Sequence, residues 1–148
     1  MFHGLAHLNL DSKARLAIPA EYRDALIVQC EGRLVLTADP SRCVLVYPEP
    51  EWKPVHQKIM ALSGLHPVVR SLQRLVGGYA KSVVMDAAGR ILVPPGLREF
   101  AKLDKRVIMV GQGNKFELWD AESWASQCEL ALALNTGQMP AELEGFSL

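Results

Sequence analysis

The sequence predicts an α+β fold, mainly β, that is built from two copies of one turn–strand–helix unit. The stretch DSKARLAIPAEYR at residues 11–23 returns as DAAGRILVPPGLR at residues 86–98, with Asp, Arg, Pro and Arg in matching places. Each copy is followed by two short apolar runs that read as a hairpin. A repeat at long period decides the architecture, because units of this size bury little alone and must pack on each other.

Each unit is predicted to begin with a tight turn. Asp11 and Asp86 can accept hydrogen bonds from backbone N–H groups just ahead of them. Three apolar residues then form a short strand, and Pro19 and Pro94 are expected at the first helical position, where no N–H is needed. The arginine between turn and strand is well placed to present a cation. The alternative is a purely structural corner in which Asp and Arg pair with each other.

The remaining elements follow from alternation and helical spacing. Helices are predicted after residue 48, before Gly77 and from Asp120, where Trp124, Cys128 and Leu132 are expected to face inward. Trp52, Trp119 and Trp124 are interpreted as packing residues rather than base-stacking platforms. Strands are predicted at 2–10, 33–38, 43–47, 79–85, 106–111 and 116–119.

Four segments are predicted along the chain. They are a first domain at 1–65, a linking helix at 66–78, a second domain at 79–134 and a weakly ordered tail at 135–148 that contains Gly and Pro.

The formal net charge is zero, with 16 basic and 16 acidic residues, but the charges are unevenly placed. Residues 66–116 carry nine basic and three acidic side chains, whereas residues 117–148 carry six acidic and no Lys or Arg. A basic surface can therefore coexist with a neutral total.

Several classes of function are disfavoured. Cys30, Cys43 and Cys128 form no zinc spacing and are interpreted as reduced, buried thiols, and the four histidines form no metal motif. The sequence contains no Gly-rich phosphate loop and no nucleophile elbow, so no enzyme, cofactor or small-molecule substrate is expected. No apolar run approaches a membrane span and no secretory signal is evident, so a cytoplasmic protein is expected.

The core Asp-x-x-Gly/Ala-Arg-x-x-x-Pro-x-x-x-Arg resembles the SpoVT/AbrB domain, a swapped-hairpin β-barrel of bacterial transcription factors and antitoxins. Two such domains in one chain, opening Met-Phe-x-Gly and joined through Arg70-x-x-x-Arg74, resemble the MraZ family over residues 1–134. The resemblance implies tandem barrel repeats with short and flanking helices. It also implies a nucleoid-associated regulator of the division and cell-wall gene cluster, whose ring-shaped homo-oligomer meets repeated boxes of double-stranded DNA in its own promoter region.

The resemblance further implies that basic residues of the turn, the strand start and the motif helix face DNA. On this chain those residues are Lys13, Arg15 and Arg23 in the first copy, Arg90 and Arg98 in the second, and His3 at a place where a basic residue is common.

The expected contributions of these residues differ. Arg15 and Lys13 are expected to carry most of the contact, with Arg90 next. The second copy has Ala88 in place of Lys13, and the first has Ala14 where the family usually has Gly, which questions a left-handed turn there. Arg23 and Arg98 have a structural alternative, because an arginine on a short helix often pairs with a neighbouring acid such as Asp24 or Glu99.

Two other classes stay open at this point. A ring-forming scaffold without DNA binding fits the neutral total charge, and an antitoxin-type DNA binder fits the domain type. The tail is short for a toxin-binding segment. Arg70 and Arg74 are assigned to an oligomer interface or a structural salt bridge rather than to DNA.

Overall fold

The computed structural model describes residues 1–134 and 140–147, and its strands form one six-stranded and one two-stranded sheet. The first half contains β1 (Leu5–Asn9), β2 (Arg15–Ala17), α1 (Ala20–Cys30), β3 (Arg33–Ala38), β4 (Val44–Pro48) and α2 (Glu49–Ala61). A linking helix α3 (Pro67–Leu72) continues into a π-helical turn (Gln73–Gly77). The second half contains β5 (Lys81–Val84), β6 (Arg90–Leu92), α4 (Pro95–Phe100), β7 (Arg106–Gly111), β8 (Phe116–Asp120) and α5 (Ala121–Leu132). The predicted α+β, mainly β class is confirmed.

The two halves exchange strands in the large sheet, whose order is β1-β7-β8-β4-β3-β5. The hairpin β3–β4 lies beside the hairpin β7–β8, with β4 and β8 at the centre. Strand β1 of the first half pairs with β7, and β5 of the second half pairs with β3. The halves therefore share one hydrogen-bonded sheet, and neither hairpin is flanked by the leading strand of its own half.

The short motif strands β2 and β6 form the second sheet, an antiparallel ribbon centred on the pair Leu16 and Ile91. Both central side chains are buried and point at the core, because side chains alternate across a strand. The ribbon covers one face of the large sheet. In the described part of the chain no strand ladder joins the two sheets, so the predicted barrel is not closed.

Alternation along the central strands builds two apolar layers. Leu34 and Leu36 of β3 face a core shared with the ribbon, α1 and α4, whereas Val35 faces the opposite layer under α2 and α5. Trp52 and Trp119 are buried in that second layer, and Trp124 is packed against it, which confirms the packing interpretation of the tryptophans. Thr37 is the one buried polar residue recorded in the described core, and its hydroxyl donates to the Val76 carbonyl of the π-helical turn.

The predictions for three helices and for the tail need correction. Pro19 and Pro94 precede their helices as N-cap residues, with ψ of 140° and 139°, an extended conformation that leaves the first helical position to the next residue. Leu132 of α5 is 80% exposed, so the inward face of this helix ends before it. Of the predicted tail, residues 140–147 are described and contain a 3₁₀ turn (Ala141–Leu143), while 135–139 and 148 lie outside the described residues.

The three cysteines are free thiols, and Cys30 and Cys43 are buried as predicted, while Cys128 is half-buried. Burial raises the pKa of both buried thiols. Among the described helices, none combines the length and the apolar character needed to cross a bilayer.

Candidate nucleic-acid interface

The first motif turn is held together by one carboxylate. Asp11 Oδ1 accepts hydrogen bonds from the backbone N–H groups of Lys13 (2.8 Å) and Arg15 (2.9 Å). Asp11 Oδ2 accepts from Arg15 Nε at 3.0 Å. The same side chain therefore closes the turn and fixes the guanidinium that follows it.

The second motif turn repeats this arrangement. Asp86 Oδ1 accepts from the backbone N–H groups of Ala88 (2.9 Å) and Arg90 (2.8 Å), and its Oδ2 accepts from Arg90 Nε at 3.0 Å. The backbone N–H of the arginine is the largest influence that lowers the pKa of Asp11 and Asp86 below the usual value for aspartate. Both carboxylates are therefore ionised at neutral pH. The predicted bonding of Asp to the backbone is confirmed, and the structural Asp–Arg pair is present as well.

We call the three hydrogen bonds accepted by each aspartate the brace of its turn. Each brace occupies only one of the three nitrogens of the arginine guanidinium. Within residues 1–134 and 140–147, no protein group accepts a hydrogen bond from the terminal nitrogens of Arg15 or Arg90. The side chains of the two arginines are 31% and 39% exposed. An arginine held at Nε with both terminal nitrogens open is prepared for an acceptor pair such as a guanine edge or a phosphate.

The ribbon brings the two arginines to one surface. Arg15 pairs with Leu92 and Arg90 pairs with Ala17, so both arginines lie on the outer face of the ribbon, opposite the buried pair Leu16 and Ile91. Diagonal neighbours of this kind have Cα atoms about 7–8 Å apart. That separation is close to two base-pair steps of B-DNA, at about 3.4 Å each.

The residue before each arginine adopts a left-handed conformation, with φ of 61° at Ala14 and 76° at Gly89. The doubt about a left-handed first turn is thereby resolved, because Ala14 adopts the conformation despite its Cβ. A backbone hydrogen bond joins each turn to the other repeat at the end of the ribbon. Val93 N–H donates to the Ala14 carbonyl (2.9 Å), and Ile18 N–H donates to the Gly89 carbonyl (2.8 Å).

The helix arginines lie across the ribbon, each beside the turn of the other repeat. Arg23 of α1 lies so close to Gly89 that a Cβ at position 89 would clash with its guanidinium. The Nε of Arg23 donates to the Ile18 carbonyl at 2.6 Å. Arg98 of α4 lines a concavity with Asp11 and Ser12 of the first turn. In the described residues Arg98 has no counterpart of the Arg23 hydrogen bond.

Both turns lie within residues that match a protein-family model. The chain fits the model described as "MraZ protein, putative antitoxin-like" over residues 1–75 and 78–143. The chain belongs to the MraZ family. Curated MraZ relatives cover all of this chain and are covered fully by it. Each is named "Transcriptional regulator MraZ", at 58% identity in Nitrosospira multiformis, 54% in Thiobacillus denitrificans and 53% in Nitrosomonas europaea.

The MraZ-family structure gathers some of the predicted site residues and separates others. Lys13 and Arg15 share the first turn, and Arg90 lies diagonally across the ribbon. Residue His3 is exposed beyond the far end of β1, about 17 Å of strand from the first turn, and its carbonyl accepts from the Tyr22 hydroxyl at 2.7 Å. The structural alternative for Arg23 takes another form than pairing with Asp24, because the Nε of Arg23 donates to a backbone carbonyl instead.

Two features of the site were not predicted from the sequence. The helix arginines Arg23 and Arg98 each lie beside the turn of the other repeat, and Lys105 lies beside the first turn. The Lys105 carbonyl accepts from Leu10 N–H at 2.8 Å, directly before Asp11. The available signal was the density of basic residues around position 105, but their position beside the first repeat depends on the exchange of β1.

Proposed function

We propose that this chain is a transcriptional regulator that binds double-stranded DNA with the β2–β6 ribbon in the major groove. The observation that carries the proposal is the pair of Asp-braced arginines, Arg15 and Arg90, on the outer face of that ribbon. The major groove admits a two-stranded β-ribbon, and bidentate contact of Arg with guanine O6 and N7 is the commonest specific contact there. The names of the full-length relatives support a regulator.

Arg15 and Lys13 carry most of the contact in this proposal, followed by Arg90. Lys13 lies in the tip of the first turn, whereas the second turn has Ala88 at that place. The assignments of Arg98, Arg23 and His3 to DNA stay predictions. Geometry favours Arg98, which lies beside the first turn, over Arg23, whose Nε is already bonded to the protein.

A homo-oligomeric ring that meets repeated boxes would multiply these contacts. Two arginines per subunit give weak binding alone, but linked subunits raise avidity when box spacing matches subunit spacing. Exposed apolar side chains that could meet a second copy lie at the corner between α2 and α3, namely Met60, Leu62, Leu65 and Val68. The proposed target is the promoter region of its own gene in the division and cell-wall cluster, with repression as the outcome and the nucleoid as the location.

Fluorescence anisotropy of the full chain tests this function. Duplex DNA from upstream of the coding region is compared with a scrambled duplex at several salt concentrations. We expect tight, selective and salt-sensitive binding that Arg15→Ala abolishes, because phosphate contacts release counterions and base contacts discriminate.

The matched control is Lys58→Ala, which removes one positive charge from an exposed position in the last turn of α2. It should leave selectivity unchanged. Equal, weak binding of both duplexes, unaffected by Arg15→Ala, would overturn the proposal and favour a ring-forming scaffold that does not bind DNA.

A further inference from the structure

The loop between α4 and β7 is bonded to the edge of the first turn. Strands β1 and β7 are antiparallel, so the start of β7 lies where β1 ends and the turn begins. The bond from Leu10 N–H to the Lys105 carbonyl, at 2.8 Å, extends that ladder by one residue. The backbone pairing therefore places Lys105 next to Asp11, independently of the rotamer of the Lys105 side chain.

A concavity of about 410 Å³ lies between this loop and the turn. Asp11 and Ser12 line it from the turn, and Arg98, Asp104 and Lys105 line it from α4 and the loop. Asp11 is already engaged by Arg15, so its charge is largely compensated. Asp104 is the remaining carboxylate of the concavity, beside two cations.

The segment 98–106, which spans the end of α4, this loop and the first residue of β7, is also more basic than its counterpart in the first repeat. Residues 98–106 contain four basic and two acidic side chains, whereas residues 23–33 contain two of each. In the described structure none of the four cations of 98–106 lies within 4.0 Å of a carboxylate. By contrast, Arg33 is paired with Glu31 at 2.7 Å and with Glu49 at 3.7 Å.

Because β1 and β5 are exchanged between the halves, each of these two segments lies beside the turn of the other repeat. The basic segment 98–106 flanks the first turn, while the neutral segment 23–33 flanks the second, where Glu31 lines the concavity beside Asp86. The first turn thus combines Lys13 and Arg15 with additional unpaired cations.

From this placement we infer that Lys105, together with Arg98, forms a phosphate-binding site for the DNA backbone on the flank of the first turn. The inference rests on the proposed function. Lysine acts as a point charge and suits phosphate, whereas the braced Arg15 suits a base edge. Phosphate contacts fix the register of a protein on the duplex without carrying sequence information. Lys105 therefore contributes affinity and orientation, and Arg15 contributes selectivity.

The test uses the full chain, the upstream duplex and the scrambled duplex, with anisotropy measured at several salt concentrations. Lys105→Gln should weaken binding to both duplexes by the same factor, roughly three- to ten-fold per engaged subunit, and should reduce the log–log salt slope by about 1 per engaged subunit. Lys105→Arg should restore binding. Asp104→Asn should strengthen both interactions, because it removes the negative charge next to the site.

The matched control is Lys58→Gln, which should change neither affinity nor slope. Lys105→Gln behaving like Lys58→Gln, while Arg15→Ala still abolishes selectivity, would overturn this inference and leave the proposed function standing. A wild-type chain that shows neither selectivity nor salt dependence would overturn both.

Discussion

The turn at residues 11–15 and the turn at residues 86–90 have the same hydrogen-bonded Asp–Arg brace, but the residue before the arginine carries a methyl group only in the first turn. In both, an aspartate accepts from two backbone N–H groups and from the arginine Nε, with distances that agree within 0.1 Å. The left-handed residue is Ala14 in the first turn and Gly89 in the second. The brace is therefore common to both repeats, whereas the residue in the left-handed position differs, as does the residue before it, which is Lys13 in the first turn and Ala88 in the second.

The arginine that lies across the ribbon from the other repeat is also held differently at the two turns. Because Gly89 has no Cβ, the guanidinium of Arg23 lies directly against it, with its Nε bonded to the Ile18 carbonyl. In the first turn Ala14 carries a Cβ at the matching position, and Arg98 has no matching bond in the described residues. One arginine of the pair is used as a structural clamp, and the other is left available beside the more basic turn.

The largest expected effect is a loss of DNA affinity in Arg15→Ala and in Arg90→Ala, compared between the two variants. A bidentate base contact contributes about 1–3 kcal/mol of discrimination, and linked subunits multiply the loss. We expect the loss to be greater for Arg15→Ala, because Lys13 and the basic segment 98–106 lie only beside the first turn. Anisotropy on the upstream duplex measures both variants, and equal losses would show that the two turns read DNA alike.

The second prediction concerns Gly89→Ala, a substitution that gives the second turn the alanine found in the first. Gly89→Ala should lower the free energy of unfolding by about 1–3 kcal/mol, because a left-handed non-glycine residue costs about 1–2 kcal/mol and Arg23 must leave its hydrogen bond. Chemical denaturation measures the change.

A double-mutant cycle that combines Gly89→Ala with Arg23→Ala measures the interaction energy between the two positions. Arg23→Ala should be destabilising in the wild-type background and nearly neutral in the Gly89→Ala background. Additive effects would contradict direct contact between the guanidinium and the Gly89 position.

The third prediction is the reverse change. Ala14→Gly relieves the left-handed strain at Ala14, while the greater freedom of glycine in the unfolded chain offsets part of the gain. We expect stabilisation of no more than about 1 kcal/mol by denaturation. Clear destabilisation would mean that the buried Ala14 methyl group contributes more through packing than it costs in strain.

The repeat, both hairpins and the Asp-braced turns could be predicted, because each leaves a local signal. Alternation defines β3 and β4, and an Asp placed four residues before an Arg defines the brace. The exchange of β1 and β5 could not be predicted in this way. A half-buried strand shows the same alternation whether it pairs with its own hairpin or with the other one.

The crossed positions of Arg23 and Arg98, and the place of Lys105, follow from that exchange and were missed with it. The π-helical turn at Gln73–Gly77 was also missed, since one wide turn hardly disturbs helical periodicity.

The smallest expected effect concerns what the two turns share. Because the folded pKa of Asp11 and of Asp86 is lowered, each contributes stability above the ordinary aspartate pKa of 3.8, and this is lost as pH falls through the folded value. The midpoint temperature of thermal unfolding should therefore decrease as the pH is lowered below about 5, and Asp11→Asn and Asp86→Asn should each make that decrease smaller. Asp24→Asn on the exposed face of α1 is the matched control.

Since the two braces have the same geometry, the two turn variants should flatten the curve of unfolding temperature against pH equally. A difference between them would place the divergence of the repeats in the carboxylate brace as well as in the methyl group beside it.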